Sequence, residues 1–362
     1  IEKLSANRIK MMGYYNKAGL YDKSELLKYI SNTYVTVYRL DDIYDYMFGE
    51  MVINTSYLKD FNLEYMNNNG CVLMLPSFCD DSKVCVYKHH EKLFNSIIEY
   101  VDWSYKIGIN TISDFNKMLS EGKWNDLIFT SEATYNKSLL DVANTISLKP
   151  EVKLVLISGP SCSGKTTTSK KLRLFLESQG VTPYAISVDD YFKERDETPL
   201  DNEGKKDYES IKAIDIELFN DNLKRLLNGE EVTIPTYNFL TGEKEYKKKL
   251  KIKDNGVLII EGLHALNDEL TPSISREKKY KIYISPLTCL NLDNHNRLST
   301  SDNRLIRRMV RDNLRRGYNA TKTLNMWEKV RKGENEFVFP YQDTADIVLN
   351  TSLIYELSVL KV

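Results

Sequence analysis

The sequence predicts an α/β domain, a parallel sheet flanked by helices, behind a smaller α+β domain. Three observations carry this reading. Apolar runs at Val152–Ile157, broken only by Lys153, and at Val257–Ile260 have the texture of strands buried on both faces of a parallel sheet. Helical segments fall between the strands, notably Lys165–Ser178 and Asp215–Leu227, giving a strand–helix alternation. Lys149-Pro150 interrupts the pattern and marks the boundary, so the domains are expected at 1–148 and 149–362.

The bulk numbers suit that division. A chain of 362 residues is long for one compact domain, and 42% hydrophobic with 28% charged residues allows two cores. Lys+Arg is 50 and Asp+Glu 51, and the net charge of −1 argues against a global nucleic-acid-binding surface. No apolar run approaches the roughly 20 residues that span a bilayer. The five scattered cysteines, Cys71, Cys79, Cys85, Cys162 and Cys289, give no disulfide framework and point to a reducing cytoplasm. Cys79, Cys85, His89 and His90 match no standard zinc spacing and read as ordinary loop and strand residues. The chain starts at Ile1 rather than Met, and further sequence is expected ahead of it.

In the first third, Tyr34–Leu40 alternates like a half-buried strand and Val72–Leu75 reads as a short one. Residues 91–102 and 111–120 have helical spacing, with Ser113 and Asp114 before Phe115 as a start signal. Residues 132–146 carry Leu139, Leu140, Val142 and Ile146 at spacings that fit a helix. In the second part, Tyr184–Val188, Lys281–Ser285 and Asp346–Leu349 read as further strands.

The motif that carries chemistry is Gly159-Pro160-Ser161-Cys162-Ser163-Gly164-Lys165-Thr166, a full G-x-x-x-x-G-K-S/T phosphate loop between a strand and a helix that stops near Gly180. Backbone N–H groups from Gly159 to Thr167 would cradle phosphate oxygens at a helix N-terminus. The ligand expected is ATP. Lys165 would reach the β/γ-phosphates and the Thr166 hydroxyl would ligate Mg²⁺. The next strand ends in Asp189-Asp190-Tyr191-Phe192, beyond a strand's carboxyl end, where α/β sheets bind ligands. One carboxylate there can accept the proton of an attacking hydroxyl, and the other can hold Mg²⁺ through water.

Taken in order, GPSCSGKTT, SVDDYF, IPTYNF and LIIEG make residues from about 152 to 350 resemble the uridine kinase/phosphoribulokinase family. The resemblance implies Asp189 as general base, with Asp190 and Glu261 beside Mg²⁺. It puts Tyr191 and Tyr237 in a nucleoside pocket and Glu209, within Asp207-Tyr208-Glu209-Ser210, where the family binds ribose through an Asp. Gly242 stands near the family's base-reading His and offers no side chain.

Arg304, Arg307, Arg308, Arg311 and Arg315 share one helical stripe about 100° wide, while Leu305, Ile306, Met309 and Val310 lie off it. Five like charges repel, Asp312 alone cannot neutralise them, and a polyanion would. The stripe resembles the family's lid helix, with Arg307 and Arg311 on the transferring phosphoryl group and Arg304 and Arg308 toward the acceptor.

Val37–Leu63 resembles the editing-type domain of threonyl- and alanyl-tRNA synthetases, in which a Cys and a His flank the glycine and bind metal. Here Met47 and Met51 surround Gly49, and thioethers are poor ligands for hydrolytic zinc. The two halves together resemble bacterial uridine kinase-like proteins with a synthetase-type region in front. The activity expected is ATP-dependent phosphorylation of a nucleoside ribose 5′-hydroxyl. A kinase of another small alcohol or sugar phosphate, and an ATP-controlled RNA-binding module, are the alternatives.

Overall fold

The computed structural model describes residues 1–362 other than 67–69, 78–79, 85, 202–203, 239–240, 288–289 and 362. Cys79, Cys85 and Cys289 therefore lie outside the described residues. The chain forms two compact units, one of residues 1–125 with 289–299, the other of residues 126–288 with 300–362. This division differs from the boundary expected at 148/149.

The first unit is α+β. Strands β1 (Glu2–Asn7), β2 (Tyr34–Leu40) and β3 (Ile43–Asp45) form an antiparallel sheet, and helices α1 (Arg8–Lys17) and α2 (Tyr21–Lys28) lie between β1 and β2 in sequence. Val35 and Val37, on one face of β2, pack with Met11, Tyr15 and Leu27 in the core. Two short hairpins follow, β4 (Asn62–Tyr65) with β5 (Cys71–Met74) and β6 (Pro76–Ser77) with β7 (Asp80–Val84). Helices α3 (Glu91–Lys106) and α4 (Ile112–Ser120) occupy the segments read as helical. The α4 start lies earlier than the Ser113–Asp114 signal suggested. Thr111 is the N-cap, and its reciprocal capping box with Asp114 fixes the first turn.

The segment 290–299 belongs to this unit through a buried ion pair. Lys23 Nζ lies 2.6 Å from Asp45 and 3.3 Å from Asp293, and Asp293 also accepts from the backbone N–H groups of His295 and Asn296. A cation and anion out of water need this degree of mutual satisfaction.

The second unit is built on a five-stranded parallel sheet, ordered β14 (Ile347–Asn350), β13 (Lys279–Ser285), β8 (Leu154–Ser158), β12 (Gly256–Glu261), β9 (Thr182–Ser187). Every residue of β8 is buried, as a central parallel strand requires. Helix α5 (Trp124–Ser147) explains the displaced boundary. Its residues Leu139, Val142, Ala143 and Ile146 share a core with Val155, Ile157, Leu172 and Ile282, so the helix is part of this unit. Burying one such side chain contributes about 1.5–3 kcal/mol. Helices α6 (Lys165–Ser178) and α7 (Ile216–Leu227) follow β8 and β9, and β10 (Val232–Asn238) pairs with β11 (Glu243–Leu250) as a hairpin. The arginine-rich helix α8 (Thr300–Arg316) packs on α9 (Ala320–Phe337), and α10 (Glu356–Leu360) closes the chain. No helix among the described residues is long and apolar enough to cross a membrane.

Candidate active site

The five strands of the second unit's main sheet run parallel, so the segments after β8, β9 and β12 leave the sheet at one end. The phosphate loop follows β8, the two aspartates follow β9, and Glu261 ends β12. Ligands collect at this edge in open α/β sheets.

The loop's shape depends on its glycines. A Cβ at Gly159 would lie 2.0 Å from the Ile284 carbonyl oxygen, and Gly164 has φ +95° at the N-cap of α6. Lys165 Nζ donates to the carbonyls of Gly159 (2.9 Å) and Pro160 (3.2 Å), which holds its charge over the loop. Ser163 Oγ is buried without a hydrogen-bond partner. Thr351 Oγ1 donates to the Ser163 carbonyl at 2.6 Å. Thr166 and Thr167 are exposed on the first turn of α6.

Thr166 Oγ1 donates to Glu261 Oε1 at 3.2 Å, and Ser187 Oγ approaches the same oxygen at 3.4 Å. These are hard oxygen donors beside a phosphate loop. Among the described residues no group of three or more His, Cys, Asp or Glu could hold a metal ion by itself. Mg²⁺ does not require one, because it is held by one or two carboxylates together with phosphates and water. The orphaned Ser163 hydroxyl, the glycine cradle and the Thr166–Glu261 pair fit a Mg²⁺-nucleotide.

Burial pushes the Glu261 carboxyl above the usual carboxylate range, and Asp189 adds to the shift. Lys165 and the hydrogen bonds from Thr166 and Ser187 oppose it. Asp189 keeps solvent-exposed surface, and desolvation by the protein around it raises its pKa, against the pull of Lys165, Arg316 and Arg311. Asp190 is raised by burial too, but its Oδ1 accepts from the Tyr237 backbone N–H at 3.3 Å, and Lys248 opposes the shift. The two neighbours thus differ: Asp190 holds the β10 backbone, and Asp189 faces the cations of the phosphate loop and α8. Glu209 is raised chiefly by burial, opposed by Arg308 and Lys165.

The aromatic residues correct the sequence reading. Tyr191 is 1% exposed, edge-on to Phe219, with its hydroxyl accepting from Asn222 Nδ2. It is a core residue. The chain leaves β9 through a 3₁₀ turn at Val188–Tyr191, so strand alternation no longer decides which ring faces the acceptor. The next residue, Phe192, packs instead with Tyr208 (5.7–6.0 Å separate its ring from the two partners) and Tyr237. Phe192 and Tyr237 are largely covered, and Tyr208 is the open ring of the three.

The arginine stripe also differs from expectation. It is partly neutralised from within, by Asp312 on the same helix and by Glu334 and Glu356, which are distant in sequence. Arg304 is 1% exposed and forks onto Glu334 of α9 at 2.5 and 2.9 Å, so it is not available to an acceptor. Arg307 bonds Glu356 and the Cys162 carbonyl. Arg308 donates to Ser161 Oγ at 2.7 Å, Arg311 to Asp312 at 2.7 Å, and Arg315 is exposed. Glu334 also accepts from the Ser161 backbone N–H at 2.8 Å. The helix is therefore seated on the phosphate loop. Glu334, Glu356, Phe192 and Tyr208 were missed from sequence, and only Phe192 and Tyr208 carried a signal there, as aromatics within the segments SVDDYF and DYES.

The comparisons with known proteins follow the same elements. Residues 154–354 match the Phosphoribulokinase / Uridine kinase family. The uridine kinase of Mycoplasma genitalium is 32% identical over 206 residues, 57% of this chain and 88% of its own length. The uridine kinase of Staphylococcus haemolyticus is 28% identical over 197 residues, 54% of this chain and 86% of its own. A solved structure described as a possible uridine kinase from Bacillus stearothermophilus has 19% identity and a TM-score of 0.35, covering 59% of this chain and 98% of that one. The family match takes in more than half of the residues, from the phosphate-loop strand through the arginine helix to the last strand, so the chain belongs to the phosphoribulokinase/uridine kinase family and is an ATP-dependent kinase, a phosphotransferase with an alcohol acceptor.

Proposed function

We propose that the chain phosphorylates the 5′-hydroxyl of a nucleoside. The observation that carries this reading is Phe192, whose backbone N–H donates to the Asp189 carbonyl at 3.5 Å and whose ring packs with Tyr208 and Tyr237. An aromatic group suits the face of a base, and the relatives named uridine kinases support the choice.

In this reading the acceptor hydroxyl gives its proton to Asp189 as its oxygen attacks the γ-phosphorus of ATP, and ADP leaves. Lys165, Arg307 and Arg311 hold positive charge where charge shifts during transfer. Arg307 and Arg311 reach that role by exchanging Glu356 and Asp312 for phosphate oxygens. Thr166 and Glu261 would hold Mg²⁺, which would supply charge neutralisation to the phosphates, with Asp190 as a further carboxylate for a water-mediated contact. Glu209 accepts from ribose hydroxyls, and Arg308 supports the phosphate loop through Ser161.

For the first unit, a synthetase-type editing fold without its metal is the reading supported by its α+β order and by Met47 and Met51 around Gly49. A thermal-shift panel of nucleosides and sugar phosphates, with a non-hydrolysable ATP analogue present, tests the acceptor class. Stabilisation by nucleosides is expected. Stabilisation by sugar phosphates alone would replace this reading with the sugar-phosphate kinase.

A further inference from the structure

Helix α9 carries a buried glycine, Gly333, that its own backbone does not need. It lies within the helix, in a conformation any residue adopts, where glycine is destabilising relative to alanine. The reason for it lies in a neighbouring segment. A Cβ built on Gly333 would sit 2.8 Å from Glu209 Cβ, 3.1 Å from its Cγ and 3.4 Å from its Oε2. The Glu209 side chain therefore runs along α9 through the space that a side chain at 333 would fill. The tightest contact is at the root of that side chain, which moves only with its backbone, and the Glu209 backbone N–H is tied to Asp207 Oδ1 at 3.1 Å. Among the described residues the Glu209 carboxylate has no hydrogen-bond or ion-pair partner. Burial raises its pKa, and Arg308 and Lys165 oppose the shift through charge alone. A desolvated carboxylate without a donor is costly, and hydroxyl groups of a ligand are donors. The next residue of α9, Glu334, accepts from the Ser161 N–H of the phosphate loop at 2.8 Å, so one helix backs both Glu209 and the loop.

We propose that Gly333 is a positioning residue of the acceptor site: the absence of a side chain there sets where the Glu209 carboxylate stands, and through it the preference for an acceptor with two neighbouring hydroxyls. The proposal rests on the nucleoside reading above, in which Glu209 accepts from ribose. A carboxylate has two oxygens and can accept from both hydroxyls of a vicinal diol. An acceptor lacking one hydroxyl leaves one desolvated oxygen without its donor. A methyl group at 333 would displace the carboxylate, neither pairing would form well, and the two acceptors would become alike.

Uridine and 2′-deoxyuridine share base and 5′-hydroxyl and differ in one hydroxyl, which makes the ratio of their kcat/KM values the readout. We would measure it at saturating ATP in the wild type, Gly333→Ala, Glu209→Ala and the double variant. The wild type is expected to favour uridine by about tenfold to a hundredfold, the consequence of leaving one buried acceptor unpaired. Gly333→Ala should lower the ratio by about threefold or more, mainly through a raised KM for uridine, although alanine is the better helix former. Glu209→Ala should bring the ratio close to one. If Gly333 acts through Glu209, the double variant should match Glu209→Ala, because the two substitutions then remove one and the same interaction. Should Gly333→Ala turn over too slowly, dissociation constants from titration calorimetry supply the same ratio. A Gly333→Ala ratio equal to wild type, including one kept while both rates fall together, overturns the proposal. So does a double variant whose ratio lies below that of Glu209→Ala, or a wild type indifferent to the 2′-hydroxyl, and these outcomes leave the nucleoside reading standing. If neither nucleoside is phosphorylated, the nucleoside reading fails and this inference falls with it.

Discussion

At Asp189 the surroundings set the chemistry. Desolvation holds its carboxyl above the ordinary value of 3.8, and the phosphate charge of a bound nucleotide would raise it further. A base must be ionised to act, so activity is lost as pH falls through this raised pKa, and the acid limb of kcat should lie above the ordinary aspartate position. Asp189→Asn should lower kcat by about 10²–10⁴ while leaving ATP affinity nearly unchanged. A pH–rate profile with no acid limb, or full turnover by the Asn variant, would remove Asp189 from the role. If Asp190→Asn is instead the dead variant, the roles are exchanged. The phosphate loop was legible residue by residue because its function depends on a local backbone shape written in eight consecutive positions. Tyr191 and Phe192 were not distinguished, because a single 3₁₀ turn decides which ring enters the core and which faces Tyr208.

Among the elements, the contact between α8, α9 and the phosphate loop turns on one buried pair. Glu334 is fully buried, forks onto Arg304, and accepts from the Ser161 N–H. Glu334→Gln should leave Arg304 without a counter-charge and destabilise the fold by about 3–5 kcal/mol, read from urea unfolding curves. It should also raise the KM for ATP, since the Ser161 contact lies in the loop itself. A variant that unfolds like wild type would mean the pair is not what seats the helix. The helix and its arginine stripe were readable from spacing alone. Its partners were not, since Glu334 and Glu356 are 30 and 49 residues away from Arg304 and Arg307 and carry no pattern of their own. The strands β8 and β12 were readable for the opposite reason: burial on both faces leaves an uninterrupted apolar run.

On the scale of the whole molecule, the division into units was the least legible feature. A Lys-Pro break looks like a linker, but the helix before it carries an apolar face that belongs to the second unit's core. The segment 290–299 reads as a loop within the kinase half, and the charge that makes it part of the first unit, Lys23, lies 270 residues upstream of Asp293. The purified chain is expected to carry no stoichiometric zinc in its first unit, because Met47 and Met51 stand beside Gly49. Elemental analysis giving one zinc per chain, lost on substituting side chains before residue 126, would contradict this.

The central claim is transfer of the γ-phosphoryl group to a nucleoside 5′-hydroxyl, and ³¹P NMR of the products tests it most directly. With ATP, Mg²⁺ and uridine, the wild type should form uridine 5′-monophosphate and ADP in equal amounts, and Lys165→Ala and Asp189→Asn should form neither at a comparable rate. ADP appearing with free phosphate and no phosphorylated nucleoside, or a nucleotide formed equally well by both variants, would contradict the account.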